Sequence, residues 1–575
     1  MIFGLFKKFL YVLALCGVFV VGGCFSDSDP APAQPTDTTS TETCFDVSIA
    51  SSALTNTSSL CVTDENNRAN GLGVYRFVRF NVASSQSMTF TVTRTSGLNP
   101  ADPDIQIFKN GVRVALSESI ASNSETLTTI LTAGDYVLQV YEDKYTLSSF
   151  KSVAPRSKKD ASNVTLKSSQ QTSFFAPSPA CTSASSVALG GVVTYDHIPH
   201  TVFNALDYNN ITNEPVKNAV VELVCDNSVL LTTNTDNNGN YIFSAPANIS
   251  AVYVRVKAQM LNTGTPSYNF SVVDNTNSQS LYAMDSAVFN IGAVDILDKD
   301  LRAQSGWTGA SYGSTRVAAP FAILDSVLVA MNKVINVNPS SVFPALRLNW
   351  SVNNTTATGS LAAGQITSSH YNGVDIYILG AADNDTDEYD DHVIIHEWWH
   401  YFEDNFSRLD SIGGEHTGGD ILDVRVAFSE GFGNAYSAIA SGDAVYRDSN
   451  GVSQTGGFGF SLENNNCLNP GWYSECSVQS IFYDLFDATN DGADAVSLGF
   501  GPIYNVLTTE QKNTIALTSI FSFIKPLKDN NAAESNAIDT LVSGQNIDAI
   551  MDIYGDSELS NNPGSTNQLP VFTQM

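Results

Sequence analysis

Residues 393–402, VIIHEWWHYF, decide what kind of protein this 575-residue chain is. On a helix, His396 and His400 are four residues apart and therefore share one face. Both imidazoles can then bind one zinc ion, and Glu397 beside them can deprotonate a water on that ion. The apolar residues on either side predict a buried helix that carries this polar stripe. The alternative interpretation is a pair of core histidines that hydrogen bonds satisfy.

A catalytic zinc ion needs a third protein ligand and one position left for water. Glu430 is the favoured ligand, because it lies on a second predicted helix that can pack across the first. His392 precedes His396 by one helical turn, but a straight helix does not easily wrap three such histidines around one ion. His416 would suit a metzincin-like site, although the residues between His400 and His416 do not match that family.

The His-Glu-x-x-His pattern with a glutamate on a later helix resembles the gluzincins, the thermolysin-like clan of zinc metallopeptidases. The resemblance implies that His396, His400 and Glu430 bind zinc. It also implies that Glu397 is the general base for peptide-bond hydrolysis. Asn434 stands where thermolysin has a helical aspartate, four residues after the glutamate ligand. We therefore expect Asn434 to lie beside the metal ligands.

Such an enzyme also needs a substrate-binding edge and an oxyanion donor. The strand predicted at residues 375–379 matches the edge strand that pairs with an extended substrate in this clan. Tyr473, just before a helix predicted at residues 477–486, is one candidate for the oxyanion donor. His416 is the competing candidate.

The charge balance excludes one class of partner. The chain has 28 basic and 58 acidic residues and a net charge of -30. A nucleic-acid backbone requires a basic face, which this composition does not offer. We therefore expect a protein or peptide substrate and no nucleic acid.

The amino terminus predicts export. The basic pair Lys7-Lys8 precedes an apolar stretch, residues 9–21, that is too short for a comfortable membrane span. It ends in Val21-Gly22-Gly23-Cys24, which resembles a bacterial lipobox. The resemblance implies that residues 1–23 are a signal peptide and that Cys24 carries the lipid. The protein would then be anchored in the cell envelope, at the outer membrane, on its periplasmic or its surface face. A plain signal peptide or an uncleaved anchor is the alternative.

Six cysteines remain after Cys16 and Cys24 are set aside, an even number for an oxidising compartment. Six cysteines allow fifteen pairings, and we expect neighbours along the chain to pair. The predicted disulfides are Cys44–Cys61, Cys181–Cys225 and Cys467–Cys476.

Two β-domains are predicted after a flexible tether at residues 24–43. Alternating strands at 44–145 favour a β-sandwich, and its turns resemble the pre-peptidase C-terminal domain. Asp102 and Asp104 in this region are expected to be turn residues, with calcium binding as the alternative. A linker at 146–185 leads to a second β-domain at 186–285, which resembles the carboxypeptidase regulatory-like, immunoglobulin-type fold.

The remainder, residues 286–575, predicts an α+β zinc metallopeptidase domain with a mainly helical carboxyl-terminal half. An acidic run at 383–391 is expected to cap the zinc helix, and calcium binding is again the alternative. The fold class is therefore two β-sandwiches followed by an α+β catalytic domain. The function predicted from the sequence is a membrane-anchored zinc endopeptidase; the alternative is a cell-surface adhesin or binding protein with a structural or inactive zinc site.

Overall fold

The computed structural model describes residues 42–52, 54–64, 69–120, 123–146, 179–464, 466–489, 494–558 and 571–575. The predicted signal peptide, Cys24, the tether up to residue 41 and residues 147–178 of the linker lie outside these ranges. Within the described ranges the chain forms several β-sheets followed by a helical carboxyl-terminal region, which confirms the multidomain, β-rich prediction.

The first region is a sandwich of two antiparallel sheets. Its strands are β1 (Glu42–Ala50), β2 (Thr55–Thr63), β3 (Tyr75–Val82), β4 (Gln86–Ser96), β5 (Pro103–Lys109), β6 (Val112–Ser117), β7 (Ser124–Leu131) and β8 (Gly134–Glu142). One sheet has the order β2-β1-β4-β7, and the other contains β3-β8-β5-β6. Alternate residues, such as Val47 and Phe90 from one sheet and Val78 and Leu138 from the other, fill the space between them.

The second β-region has a short sheet and a long one. Its strands are β9 (Ser186–His197), β10 (Thr212–Pro215), β11 (Ala219–Cys225), β12 (Ser228–Asn234), β13 (Asn240–Pro246), β14 (Ile249–Asn262), β15 (Tyr268–Asp274), β16 (Ser280–Leu281), β17 (Ala283–Asp285), β18 (Phe289–Ile291) and β19 (Leu301–Ala303). The short sheet has the order β10-β9-β13, with β19 parallel to β9. The long sheet begins β12-β11-β14-β15, and apolar residues of both sheets belong to one core.

The long sheet does not stop at the predicted domain boundary at residue 285. Its further strands are β20 (Leu346–Trp350), β21 (His370–Tyr371) and β22 (Ile376–Ile378). Parallel pairing of β15 with β20 extends it to the order β12-β11-β14-β15-β20-β22-β21. The strand expected at the edge, β22, is therefore interior, and β21 is the end strand. The pattern of apolar residues could not distinguish these two positions, because β21 pairs over only two residues.

A small antiparallel sheet and the helices complete the fold. The sheet contains β23 (Gly380–Ala381), β24 (Asp385–Thr386), β25 (Val445–Asn450) and β26 (Gly456–Ser461). The helices are α1 (Ala319–Val337), α2 (Asp391–Phe406), α3 (Val424–Ser441), α4 (Glu475–Phe486), α5 (Phe500–Val506), α6 (Ile520–Asn530) and α7 (Ser535–Gly544). Of the described helices, α1 alone is long and apolar enough to cross a membrane, and it packs inside the protein against α2, α3 and β15.

The carboxyl-terminal end returns to the first β-sandwich. Strand β27 (Phe572–Gln574) pairs in parallel with β3 and so becomes the outer strand of the sheet β27-β3-β8-β5-β6. The three disulfides join the neighbouring cysteines, as the sequence predicts: Cys44–Cys61, Cys181–Cys225 and Cys467–Cys476.

Candidate metal centre

The helix α2 carries the His-Glu-x-x-His pattern deep inside the protein. Its apolar residues, among them Trp398, Trp399 and Phe402, are fully buried against α1, α3 and β22. Because His396 and His400 lie one turn apart, their rings meet on the face that α3 crosses. The polar stripe predicted from the sequence is thus held in a fixed position by packing on the other faces of the helix.

Close packing of α3 against α2 depends on a glycine. A β-carbon added to Gly433 would lie 2.7 Å from His396 Cε1, so any other residue there would displace the imidazole. This close approach brings Glu430, one turn earlier on α3, to the two histidines.

Three atoms converge at this helix crossing. The Nε2 atoms of His396 and His400 are 3.1 Å apart, and Glu430 Oε2 lies 3.1 Å from the first and 3.2 Å from the second. Zinc–ligand bonds of 2.0–2.1 Å at tetrahedral angles place ligand atoms about 3.3 Å apart. The triangle therefore matches three corners of a zinc tetrahedron, and the donor set suits that ion.

Hydrogen bonds indicate which ring nitrogens carry protons. Asn434 donates through Nδ2 to Glu475 Oε1 at 2.6 Å and to Gln479 Oε1 at 2.9 Å. Its Oδ1 is therefore the acceptor that faces His396 Nδ1 at 2.8 Å, so His396 Nδ1 carries the proton. The Nε2 lone pair of His396 is left to face Glu430, and Asn434 orients the histidine as expected of a residue beside a metal ligand.

His400 is oriented in the same way by different residues. Ser429 donates its hydroxyl to Glu403 Oε2 at 2.6 Å, so the Ser429 oxygen can accept from His400 Nδ1 at 3.2 Å. The Nε2 lone pair of His400 then also faces Glu430. With this tautomer three acceptor atoms face one another, and a cation between them would relieve their repulsion, so the cluster could hold a metal ion.

The pKa values of His400 and Glu430 also indicate that the cluster favours a positive charge. Burial opposes a charge on His400, but Glu430 and hydrogen bonds to Glu403 and Glu430 outweigh it and hold the pKa of His400 well above its usual value. Burial also opposes ionisation of Glu430, yet the charges of His400 and His416 hold the pKa of Glu430 well below its usual value. The Glu430 carboxylate thus favours a positive charge beside it.

The general-base candidate, Glu397, lies beside the ligands and is held separately. Its Oε2 accepts a hydrogen bond of 2.7 Å from the backbone N–H of Tyr371, in the end strand β21. One ring nitrogen of His396, one of His400 and one carboxylate oxygen of Glu397 all lie within 4.8 Å of one another. Because the Tyr371 N–H points to Glu397, the outer edge of β21 faces the cluster.

His416 is the second predicted residue that the structure brings to the cluster. Its Nδ1 lies 2.9 Å from the carbonyl of Gly414, and its Nε2 lies 3.8 Å from Glu430 Oε2 and 3.4 Å from Glu475 Oε2. Burial disfavours the charged ring, but the carboxylates of Glu475 and Glu430 raise the pKa of His416 above its usual value. The Nε2 atom of His416 therefore lies beside the Glu430 and Glu475 carboxylates.

Two other candidates have different surroundings. The hydroxyl of Tyr473 donates to the carbonyl of Pro470 at 3.3 Å, and none of the contacts described for the cluster involves Tyr473. His392 lies on α2 with Nδ1 2.7 Å from Ser437 Oγ, and its ring packs against Tyr446. Burial lowers the pKa of His392 to about 3, so it is a neutral core residue.

The acidic run before α2 supplies no side-chain cap, although Asp391 lies in the first turn of α2, where its charge complements the helix dipole. The side chain of Asp390, at the N-cap position, accepts no hydrogen bond from α2; its carboxylate binds His200 at 2.5 Å and Ser449 at 2.9 Å instead. Asp385 and Asp387 meet Asp448 from β25, with carboxylate oxygens within 4.8 Å of one another. These buried carboxylates can hold a cation, and calcium there stays a prediction.

Of the two aspartates predicted to be turn residues, Asp102 lies in the connection before β5, whereas Asp104 is placed differently. Asp104 lies within β5 and is buried, so it is not a turn residue. Burial, and then the charges of Asp143 and Asp102, raise the pKa of Asp104 to about 8. Asp102 donates its backbone N–H to the Glu142 carboxylate just before the strand.

Several residues of the site were missed in the sequence. Glu475 is the first residue of α4, and its partner Asn434 lies on α3, so their contact depends on the packing of two helices. Glu403, which accepts the Ser429 hydroxyl, was missed as well. A signal was available for Glu403, since a buried glutamate three residues after His400 shares its helix face.

Comparisons with known proteins do not assign the chain to a family. No protein-family model matches it, and no curated protein matches it. One similar solved structure is reported as "Structural insight into host cell surface retention of a 1.5-MDa bacterial ice-binding adhesin". It is 9% identical over 44% of this chain and 87% of that chain, with a TM-score of 0.11, which is too low to support an argument about fold or function.

Proposed function

We propose that this protein is an exported zinc metallopeptidase of the gluzincin type whose catalytic site is the cluster of His396, His400, Glu430 and Glu397. The observation that carries the proposal is the convergence of three ligand atoms within 3.2 Å beside a separately held carboxylate. A structural zinc site is usually closed by four protein ligands. Three ligands with a neighbouring base are instead typical of a hydrolytic site.

The residues have distinct roles in the proposed reaction. Zinc bound by His396, His400 and Glu430 would act as a Lewis acid and lower the pKa of a water in its open position. Glu397, oriented by the Tyr371 amide, would be the general base that takes a proton from the attacking water and returns it to the departing amine. His416 donates a hydrogen bond to the scissile carbonyl oxygen as negative charge develops there.

The proposed substrate is a protein or peptide in extended conformation. Strand β21 ends the long sheet, and its outer edge faces Glu397, so an added peptide strand would run past the catalytic base. The three disulfides support an oxidising compartment outside the cytoplasm. Attachment to the cell envelope through lipid on Cys24 is part of the same proposal.

The test compares zinc content and cleavage of casein in the wild type and in Glu397→Gln. We expect both proteins to bind zinc and the variant to cleave at least about 100-fold more slowly, because general-base catalysis contributes 10²–10⁴-fold. Glu534→Gln, at an exposed position far along the chain, is the control and should cleave normally. Zinc binding without Glu397-dependent cleavage would contradict the proposal and favour a binding protein.

A further inference from the structure

The first β-sandwich presents one sheet face to the catalytic region. Residues of β3 and β8 alternate between two cores: Val78 and Leu138 point into the sandwich, whereas Tyr75 and Phe77 join the large core that contains the helices. Strand β8 is consequently buried on both faces over most of its length. A module that served only as a spacer would have no need to bury its second face.

The chain just before β3 pairs with the segment that carries His416. Gly71 forms an antiparallel bridge with Leu422, and Leu72 donates its N–H to the Ile421 carbonyl at 3.0 Å. On the other side of the bridge, the Asp423 N–H donates to the Asn70 carbonyl at 2.8 Å. The segment between α2 and α3 is thus hydrogen-bonded to the first β-sandwich.

The side chain of Asn70 holds the loop next to His416. Asn70 is 2% exposed, and its Nδ2 donates to the carbonyls of Gly413 at 3.1 Å and Glu415 at 3.2 Å. Gly413 and Gly414 both have left-handed backbones, with φ of 65° and 105°. Glycines lose the most conformational freedom on folding, so this loop depends on external hydrogen bonds to keep one conformation.

The same face also supports α3, the helix that bears Glu430. Arg425, in the first turn of α3, donates through Nη1 to Gln139 of β8 at 2.9 Å. Its guanidinium lies over the rings of Tyr75 and Phe77, 5.2 and 5.0 Å from their centroids. The segment that carries His416 and the first turn of α3 therefore both contact the first β-sandwich.

We propose that the first β-sandwich is a working part of the catalytic site, in which Asn70 is the positioning residue for His416. This inference rests on the proposed function. The hydrogen bonds of the Asn70 side chain go to the Gly413 and Glu415 carbonyls, and by holding them Asn70 keeps His416 Nε2 beside Glu430. Loss of this support should slow the chemical step without removing zinc.

The experiment measures kcat, KM and zinc content in the full chain for Asn70→Ala and the milder Asn70→Ser, which keeps one donor. We expect kcat to fall about tenfold in Asn70→Ala, as for other residues that orient a catalytic group, with KM and zinc unchanged. The kcat of Asn70→Ser should lie between those of Asn70→Ala and the wild type. Asn81→Ala is the matched control, because its amide bonds only to Asp135 at 2.7 Å on the exposed end of the same sandwich.

A double variant separates positioning from general loss of stability. In a His416→Gln background, Asn70→Ala should lower kcat no further, because the group that it positions is already gone. Equal kcat in Asn70→Ala and Asn81→Ala, or additive losses in the double variant, would overturn the inference. A zinc-loaded wild type that cleaves nothing would overturn the proposed function as well, so the two failures are distinguishable.

Discussion

The two β-regions join the catalytic region in different ways. In the second, β15 pairs with β20, and one sheet runs unbroken from β12 to the strand whose N–H holds Glu397. The first keeps a sandwich core of its own and meets the catalytic region through one sheet face, a short bridge at Gly71 and the returning strand β27. Similar strand patterns in a sequence can therefore belong to a region that shares its sheet with the catalytic region or to a separate sandwich that packs against it.

Removing a buried side chain where β15 meets β20 should have the largest effect on stability. Phe270 is fully buried in β15, with its ring 6.0 Å from Phe343 and 5.9 Å from Tyr401 of α2. Phe270→Ala should lower the free energy of unfolding by about 3–5 kcal/mol. Since Tyr401 follows the ligand His400, zinc should also be bound more weakly. Thermal unfolding and zinc titration measure both effects.

The matched change in the first β-sandwich is Phe90→Ala, which removes an equally buried ring packed on Phe80. We expect a similar loss of stability, restricted to the unfolding transition of the sandwich, with zinc affinity unchanged. If Phe90→Ala weakened zinc binding as much as Phe270→Ala, the two regions would not differ as described.

A pH-dependent effect should follow from Asp104 in the first β-sandwich. Its pKa is raised to about 8 when folded, against 3.8 for an ordinary aspartate. Between these values the unfolded chain releases a proton that the folded one retains, so stability falls as the pH rises from about 4 to 8. Asp104→Asn should therefore raise the free energy of unfolding by roughly 2–4 kcal/mol at pH 9 and leave it almost unchanged at pH 4.

Unfolding of Asp104→Asn and the wild type across this pH range provides the measurement. If Asp104→Asn were already fully more stable than the wild type at pH 4, titration of Asp104 could not be the cause of its added stability. Stabilisation of the wild type but not of the variant by added calcium would show that a cation binds at this aspartate.

The smallest expected effect concerns one side-chain contact between the sandwich and the carboxyl-terminal end. Arg79 pairs with Asp556 and lies over the Tyr554 ring, 4.3 Å from its centroid. Arg79→Ala should cost at most about 1 kcal/mol and less at high salt, because partly exposed ion pairs contribute little. Arg255→Ala breaks the Asp285 pair within the second region at 2.8 Å and is the control for salt dependence.

Of these two arginine variants, Arg79→Ala alone should move the unfolding transition of the first β-sandwich away from that of the rest. Calorimetry resolves this, and an equal separation in Arg255→Ala would mean that the contact does not couple the regions.

The local parts of the site could be predicted from the sequence. Helical spacing places His396 and His400 on one face whatever the rest of the chain does, and a second helix could bring Glu430 to them. The pattern did not reveal that β21 rather than β22 ends the sheet, because strand order depends on pairing between distant residues. Asn70 was missed for the same reason: its partners lie more than 340 residues away.

The central claim is that His396, His400 and Glu430 form one metal centre, and zinc stoichiometry tests it most directly. The matched variants are Glu430→Ala and His392→Gln, which alters a buried histidine of the same helix that bonds to Ser437 instead. We predict one zinc ion per chain in the wild type and in His392→Gln, and loss of zinc in Glu430→Ala that remains folded. Wild-type zinc content in Glu430→Ala would contradict the account.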